Sequence, residues 1–98
     1  NDAKLLENLG VFSIVLECIN SRTASLITKS ISIPTIGIGS SVNCDGQVLV
    51  TDDLLGLNKT KIKFVKRFAN IRRDIAKGVR KFKLEVKKNK YPTKKYSY

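Results

Sequence analysis

The chain has 98 residues, a net charge of +11, two cysteines and no histidine. Its length allows one domain at most, or part of one. No signal-peptide pattern opens it, its longest apolar runs fall far short of the roughly 20 residues that a membrane span needs, and it lacks the four Cys or His ligands of a structural zinc site. We expect Cys18 and Cys44 to be two reduced thiols rather than a disulfide.

The charge is divided very unevenly along the chain. Residues 1–58 hold three Lys or Arg against six acidic residues, which gives 3 − 6 = −3. Residues 59–98 hold sixteen Lys or Arg against two acidic residues, which gives 16 − 2 = +14. Two segments of opposite character therefore need separate explanations.

The first forty residues predict alternating helices and strands. Residues 2–9 have leucines at helical spacing and end at Gly10, a typical helix C-terminal residue. Residues 12–19 are apolar almost throughout, as in a parallel strand covered on both faces. Residues 21–30 predict a second helix, and residues 32–39 a second short strand. Strand, helix and strand in this order form a βαβ unit with a right-handed crossover.

Two short motifs in the following segment leave alternatives open. Gly37 and Gly39 lie two apart on the second strand and leave room on one face for either a ligand or close packing. The third glycine of a dinucleotide-binding loop is missing, because Val42 stands there. Asp45-Gly46 predicts a turn, and the apolar run at 47–50 fits a strand or the first turn of a helix equally well.

The basic segment predicts one long amphipathic helix over about residues 61–88. Its apolar residues are spaced 4, 3, 4, 4, 3 and 4 apart and form one stripe: Phe64, Phe68, Ile71, Ile75, Val79, Phe82 and Val86. Gly78 within it indicates close packing or a bend. The positive charge suits nucleic acid or an anionic surface, but the aromatic residues fall on the apolar stripe. We therefore favour a solvated basic face on a helix that packs against a core.

Glu17 is the one carboxylate in the apolar strand at 12–19. A buried, unpaired carboxylate is costly, so it tends to take up a proton or to acquire a partner. Catalytic groups of parallel α/β sheets and barrels lie at the carboxyl ends of the strands, where Glu17 stands. A catalytic role and a structural ion pair are both consistent with this position.

Several stretches together resemble the C-terminal part of the ketopantoate hydroxymethyltransferase family. They are "IVLECI", "SIPTIGIGSSVNCDGQVLVTDDLLGL", "KFVKRFANI", and the closing "YP" and "YSY". The sequence departs from the family pattern at Ser40 and Ser41 after "GIG", at Thr51 and Asp52 after "QVLV", and at Lys63. The tail is also more basic than is usual in the family.

The resemblance implies an α/β fold, a (β/α)8 barrel of the phosphoenolpyruvate/pyruvate type. We expect residues 1–98 to be a C-terminal fragment of it, inactive alone. Residues 1–58 would hold the last two βα units and an active-site loop, and residues 59–98 the basic helix and tail. A complete barrel takes about 250 residues.

The reaction that the resemblance implies transfers a hydroxymethyl group from 5,10-methylenetetrahydrofolate to 3-methyl-2-oxobutanoate, in pantothenate biosynthesis. Glu17 matches the family's proton acceptor. The resemblance also implies Mg²⁺ bound by residues outside this chain, so we assign no metal ligand here, although Asp45, Asp52 and Asp53 are acidic. Substrate-binding residues and folate contacts are not assigned.

The family further implies a homodecamer in the cytoplasm, or in an organelle of a eukaryote, without nucleic-acid or membrane partners. Two other functions remain open: a catalytically degenerate barrel subunit, and a basic module that binds nucleic acid or an anionic surface.

Overall fold

A computed structural model describes residues 1–59 and 61–98 of the chain. Two helices and two strands alternate first: α1 (Asp2–Asn8), β1 (Ile14–Glu17), α2 (Ser21–Ser30) and β2 (Thr35–Ile38). They are followed by β3 (Gly46–Gln47), α3 (Thr51–Leu54), α4 (Ile71–Lys87) and a short 3-10 turn (Lys94–Tyr96).

The βαβ prediction is confirmed, with shorter strands than the apolar runs indicated. β1 and β2 pair in parallel, with Ile14 opposite Thr35 and Glu17 opposite Ile38. The helix predicted at 21–30 has these bounds, because the Asn20 side chain accepts a hydrogen bond from the Arg22 amide and caps its first turn. Both cysteines are free thiols, as predicted.

Of the run at 47–50, only Gln47 lies in a strand, and neither a strand nor a helix over the whole run is found. β3 pairs in parallel with β2, which makes a three-stranded sheet of order β1-β2-β3 where two strands were predicted. α3 begins directly after this run, at Thr51. The chain is thus an α/β structure with a parallel sheet.

One face of the sheet is covered by α2 and the other face is open. Leu16 of β1, Ala24 of α2 and Cys44 form the buried apolar cluster, and Thr35 and Gly37 of β2 are buried on the same face. Successive strand residues point to opposite faces, so Val15 and Glu17 lie on the other one. Both are exposed, and the expectation that β1 is covered on both faces is wrong for this chain.

The prediction of a continuous helix from about residue 61 is also wrong. Residues 61–70 are irregular, and α4 begins at Ile71, where the Asn70 side chain caps it by accepting from the Arg73 amide at 3.2 Å. The amide groups of Phe68 and Ile71 donate to the carbonyls of Leu54 and Leu55 instead of forming helical bonds. Tertiary hydrogen bonds to α3 therefore replace the first helical turns.

The apolar stripe of α4 is exposed rather than packed on a core. Val79 is 61% exposed and Phe82 is 56% exposed, and α4 contains no buried residue. A Cβ at Gly78 would have no atom within 4 Å, so close packing does not explain that glycine. The chain measures 68 × 28 × 16 Å with a radius of gyration of 22.5 Å, against about 13 Å for a compact domain of this length.

Candidate active site at the carboxyl end of the sheet

Glu17 is the last residue of β1, at the carboxyl end of the parallel sheet. Its side chain is exposed on the open face of the sheet, and the ion pairs found among the described residues do not include it. The structure therefore gives no support within this chain to the alternative of a structural ion pair. It places Glu17 at the edge where active sites of parallel α/β folds form.

Cys18, which follows Glu17, has a left-handed backbone with φ of +54°. A residue with a side chain adopts this conformation at a cost of about 1–2 kcal/mol, so the surrounding contacts must impose it. The Cys18 amide donates to the Ile38 carbonyl at 2.9 Å and keeps the end of β1 joined to β2. The chain thus turns sharply just after the candidate base.

The Ser40 hydroxyl fixes this turn from both sides. It donates to the Leu16 carbonyl at 2.6 Å and accepts from the Ile19 amide at 3.1 Å. These two peptide groups flank Glu17 and Cys18. The sequence marked Ser40 only as a departure from the family pattern, and no local signal could have revealed this bridge, because it spans 24 positions of the chain.

An open cleft of about 790 Å³ lies beside Glu17, next to the ends of β1 and β2. Cys18, Ser40 and Phe64 are among its lining residues, whereas Glu17 is not. A volume of this size suits a small-molecule ligand. The cleft is lined by residues from both halves of the chain, because the irregular segment at 61–70 brings Phe64 across the end of the sheet.

Gly37 and Gly39 lie close to other side chains, as the packing alternative expects, and Gly39 also lines the cleft, as the ligand alternative expects. A Cβ at Gly39 would lie 2.5 Å from the Cγ of Phe64, and the backbone there has φ of +64°. A Cβ at Gly37 would lie 2.9 Å from Oε1 of Gln47. The clash with the Phe64 ring and the left-handed backbone exclude a side chain at Gly39, whereas a side chain at Gly37 would displace only the end of Gln47. The glycines thus let Phe64 and Gln47 lie against β2.

Two of the three aspartates after β2, Asp45 and Asp53, have structural contacts. Asp45 accepts from the Thr35 amide at 2.8 Å and from the Thr35 hydroxyl at 3.1 Å, and these bonds hold the pKa of Asp45 below its usual range, the amide bond having the larger effect. Asp53 is buried and accepts from Asn58 at 2.8 Å. Asp52 is exposed in α3. Within residues 1–59 and 61–98, no three His, Cys, Asp or Glu side chains cluster as a metal site would require.

Across the described part of the chain, no helix combines the length and the apolar content needed to cross a bilayer.

Comparison with known proteins places residues 1–94 in a match to the family described as ketopantoate hydroxymethyltransferase. A relative named 3-methyl-2-oxobutanoate hydroxymethyltransferase from Pelagibacter ubique (strain HTCC1062) is 63% identical over 97 residues, which are 99% of this chain and 38% of the relative. Relatives of the same name from Nitrosopumilus maritimus (strain SCM1) and Pyrococcus furiosus are 53% and 48% identical, over 93% and 97% of this chain. The chain spans only 33% and 34% of their lengths.

Proposed function

Because this chain belongs to the ketopantoate hydroxymethyltransferase family, we propose that it forms part of an enzyme that makes 2-dehydropantoate for pantothenate biosynthesis. The substrates would be 3-methyl-2-oxobutanoate and 5,10-methylenetetrahydrofolate. Water opens the N–CH2–N bridge of the folate: its oxygen bonds to the methylene carbon, both carbon–nitrogen bonds break, and the two nitrogens take up protons, which releases tetrahydrofolate and a carbon at the oxidation level of formaldehyde. The oxo acid loses its C3 proton to a base, the resulting enolate carbon bonds to that one-carbon unit, and its oxygen takes up a proton to become the hydroxyl of 2-dehydropantoate. The family match over residues 1–94 is the observation that carries this proposal.

Glu17 is the proton acceptor in this proposal. The position of Glu17 supports this role. Glu17 is the last residue of β1, and its side chain lies on the open face of the sheet. The neighbouring side chains on that face are apolar: Val15 of β1, and Ile36 and Ile38 of β2. In a closed (β/α)8 barrel this face would be the interior, and α2 would lie outside. A carboxylate at the open end of an apolar barrel interior is within reach of a substrate that binds at that end.

Ser40 is a positioning residue for Glu17. Its hydrogen bonds to Leu16 and Ile19 restrain the backbone on either side of the carboxylate. A general base acts efficiently only when it is held within hydrogen-bond distance of the proton that it removes. The bridge thus provides rigidity where catalysis would need it.

The residues of this chain do not fit a magnesium site. Among the described residues no three carboxylates come together, and Asp45 and Asp53 already accept hydrogen bonds from Thr35 and Asn58. We assign no magnesium ligand to this chain and derive no step through the ion.

Assembly into the family's homodecamer, or packing on the rest of a barrel, would cover the exposed stripe of α4. Ile75, Val79 and Phe82 are each more than half exposed, and such a continuous apolar surface is unusual on a soluble domain that stands alone.

A chimera provides the full-length protein for the test. These 98 residues replace the matching segment of the Pelagibacter ubique relative, and hydroxymethyl transfer is measured. The proposal expects an active chimera. A folded but inactive chimera would contradict it and favour the degenerate barrel subunit.

Glu17→Gln in the chimera then tests whether Glu17 is the base. It retains size and hydrogen-bonding capacity but removes the proton acceptor. We expect exchange of the C3 proton with heavy water, followed by NMR without folate, to fall by about 10²–10⁴-fold together with turnover, while oxo-acid binding persists. Glu85→Gln on α4 is the matched control and should leave exchange unchanged. Normal exchange in a well-folded Glu17→Gln chimera would remove Glu17 from the mechanism.

A further inference from the structure

A second cleft, of about 530 Å³, lies between the segment after α3 and the first turns of α4. Among the residues that the structure describes, none lines both this cleft and the one beside Glu17, and no carboxylate lines this one. Five cationic side chains do: Lys59, Arg67, Arg72, Arg73 and Arg80. We call it the arginine cleft.

The arginine cleft collects a residue type that is scarce in this chain. The chain has fourteen lysines and five arginines, and four of those five arginines line this cleft together with one lysine. If charge alone mattered, five cations drawn from the nineteen would include roughly one arginine, since either residue supplies a positive charge. A solvated basic face does not explain this separation of arginine from lysine.

Arginine differs from lysine in the geometry of what it binds. Its planar guanidinium donates two parallel hydrogen bonds to a phosphate or carboxylate, whereas lysine acts as a point charge. The lysines Lys77, Lys81, Lys83 and Lys87 lie elsewhere on α4. The chemistry of the cleft therefore suits directed hydrogen bonding to oxyanions better than that of the lysine-rich remainder of α4.

Several contacts hold the cleft in shape without a ligand. Arg67 donates through Nη2 to the Asn58 carbonyl at 2.7 Å, and the Asn58 side chain donates to the buried carboxylate of Asp53 at 2.8 Å. On the other side, the Asn70 cap fixes the start of α4. The N-terminal end of α4 adds partial positive charge.

Two cations of the cleft, Arg72 and Arg80, have neither a hydrogen bond nor an ion pair to another described residue. Arg73 has only an exposed contact with Asp74, at 3.7 Å between Nε and Oδ1, and exposed pairs of this kind contribute little. The guanidinium groups of Arg72 and Arg80 are thus available to a ligand.

We propose that the arginine cleft binds a small molecule with adjacent phosphate groups, such as a nucleoside diphosphate. Adjacent phosphates present several oxyanions at close spacing, which matches several guanidinium groups around one cavity. A volume of about 530 Å³ is in the range of small-molecule sites. A nucleic-acid strand would need cations along an extended track, and here the arginines are confined to one cleft.

The test uses the chimera and inorganic pyrophosphate as the probe, titrated by calorimetry in magnesium-free buffer. We expect saturable binding of one pyrophosphate per chain. Arg72→Gln with Arg80→Gln should weaken it by at least about tenfold. Arg72→Lys with Arg80→Lys, which retains both charges, should weaken it by about tenfold as well, because the paired hydrogen bonds are lost.

Lys77→Gln with Lys81→Gln is the matched control. It removes the same charge from α4 outside the cleft and should change affinity by less than about twofold. Circular dichroism and hydroxymethyl transfer without pyrophosphate should be unchanged in the two Arg→Lys substitutions. Retained transfer with lost pyrophosphate binding separates this site from the one at Glu17.

A measurement on the unsubstituted chimera avoids any folding defect of the variants. Pyrophosphate should protect Arg72 and Arg80 from phenylglyoxal, as detected by peptide mass spectrometry. The proposal is overturned if pyrophosphate does not bind or does not saturate, or if it does not protect Arg72 and Arg80. It is also overturned if the Lys77→Gln, Lys81→Gln control loses as much affinity as the Arg→Gln pair, or if the Arg→Lys pair retains full affinity. Tighter binding of triglutamate or of a single-stranded oligonucleotide than of pyrophosphate would overturn it as well.

Discussion

The hydroxyl of Ser40 donates to the carbonyl of Leu16 at 2.6 Å. Since the same oxygen accepts from the Ile19 amide, one side chain from the end of β2 bridges the backbone on both sides of Glu17 and Cys18. The bridge holds the left-handed turn at Cys18, which no glycine relieves. Ser40 thus has a defined structural role beside the proposed base.

Ser40→Ala in the chimera should loosen this turn. We expect a loss of about 1–3 kcal/mol in the free energy of unfolding, because a partly buried amide and a carbonyl lose their partner. Turnover should fall about tenfold or more through misplacement of Glu17, with KM for the oxo acid little changed. Thermal melting and steady-state kinetics measure the two effects.

Two further variants separate positioning from general damage. Ser40→Thr retains the hydroxyl and should restore most of the turnover. Ser30→Ala removes a hydroxyl at the exposed end of α2, where it donates only to the Ile27 carbonyl, and should leave turnover unchanged. If Ser40→Ala kept full turnover despite the loss of stability, Ser40 would have no part in positioning Glu17.

The sequence predicted the βαβ unit well because hydrophobic pattern and helix capping agree there. Asn20 caps α2, and the apolar runs contain both strands. It failed over residues 61–70, where the helical spacing of apolar residues continues but the amides of Phe68 and Ile71 bond to α3. Periodicity records which residues are apolar, and it cannot distinguish a helical turn from an irregular segment that docks its side chains elsewhere.

The position of Glu17 followed from the strand pattern, but its supporting contacts did not. The bridge by Ser40 and the contact of Phe64 with Gly39 join residues that are 24 and 25 positions apart. Such contacts depend on how the elements pack, which a single sequence does not encode locally. The arginine cleft was hidden for the same reason, because its four arginines were predicted to be parts of one solvated helix face.

Asp45 gives the folded state a predictable dependence on acid. Its folded pKa is lowered, so the carboxylate stabilises the fold fully above the usual value of about 3.9, and this stabilisation is lost as pH falls through the lowered folded value. Asp45→Asn cannot titrate. The advantage in Tm of the unsubstituted chimera over Asp45→Asn should therefore be constant from about pH 5 to 7 and should shrink below about pH 4.

Thr35→Val tests the cause of that shift. It removes the hydroxyl that donates to Asp45 and that also pairs with Thr28 at 2.8 Å, at a cost of about 1–3 kcal/mol. The acid dependence due to Asp45 should become shallower but persist, because the larger contribution comes from the Thr35 amide. An unchanged acid profile in both variants would show that these hydrogen bonds do not lower the pKa of Asp45.

Two glycine substitutions should have opposite effects on stability. Gly56 has φ of +70°, and a Cβ there would lie 2.4 Å from the Ala69 carbonyl oxygen. Gly56→Ala should cost about 1–2 kcal/mol for the left-handed backbone alone, with the clash in addition. Gly78→Ala, in the open middle of α4, should gain about 1 kcal/mol. Urea denaturation of the chimera compares the two, and similar values would contradict both the clash expected at Gly56 and the open surroundings of Gly78.

The 98-residue chain by itself should lack a cooperative thermal transition. Its buried apolar cluster contains only Leu16, Ala24 and Cys44, whereas Phe12, Phe68 and Phe82 are all more than half exposed. So little burial does not offset the conformational entropy of folding. Circular dichroism should report a broad melt and a hydrophobic dye should bind, while the chimera melts sharply. A sharp, concentration-independent melt of the chain alone would contradict this expectation.

The exposure of α4 also determines how a protease would dissect the molecule. Sixteen of the nineteen Lys and Arg residues lie in residues 59–98, and α4 contributes no buried residue, so its turns can open without disturbing the sheet. Trypsin should therefore cut first within residues 59–98, the basic arm. It should leave an amino-terminal piece whose only cleavage sites are Lys4, Arg22 and Lys29. In the chimera, the delay before the arm is cut measures directly how firmly the remaining protein covers the stripe of α4.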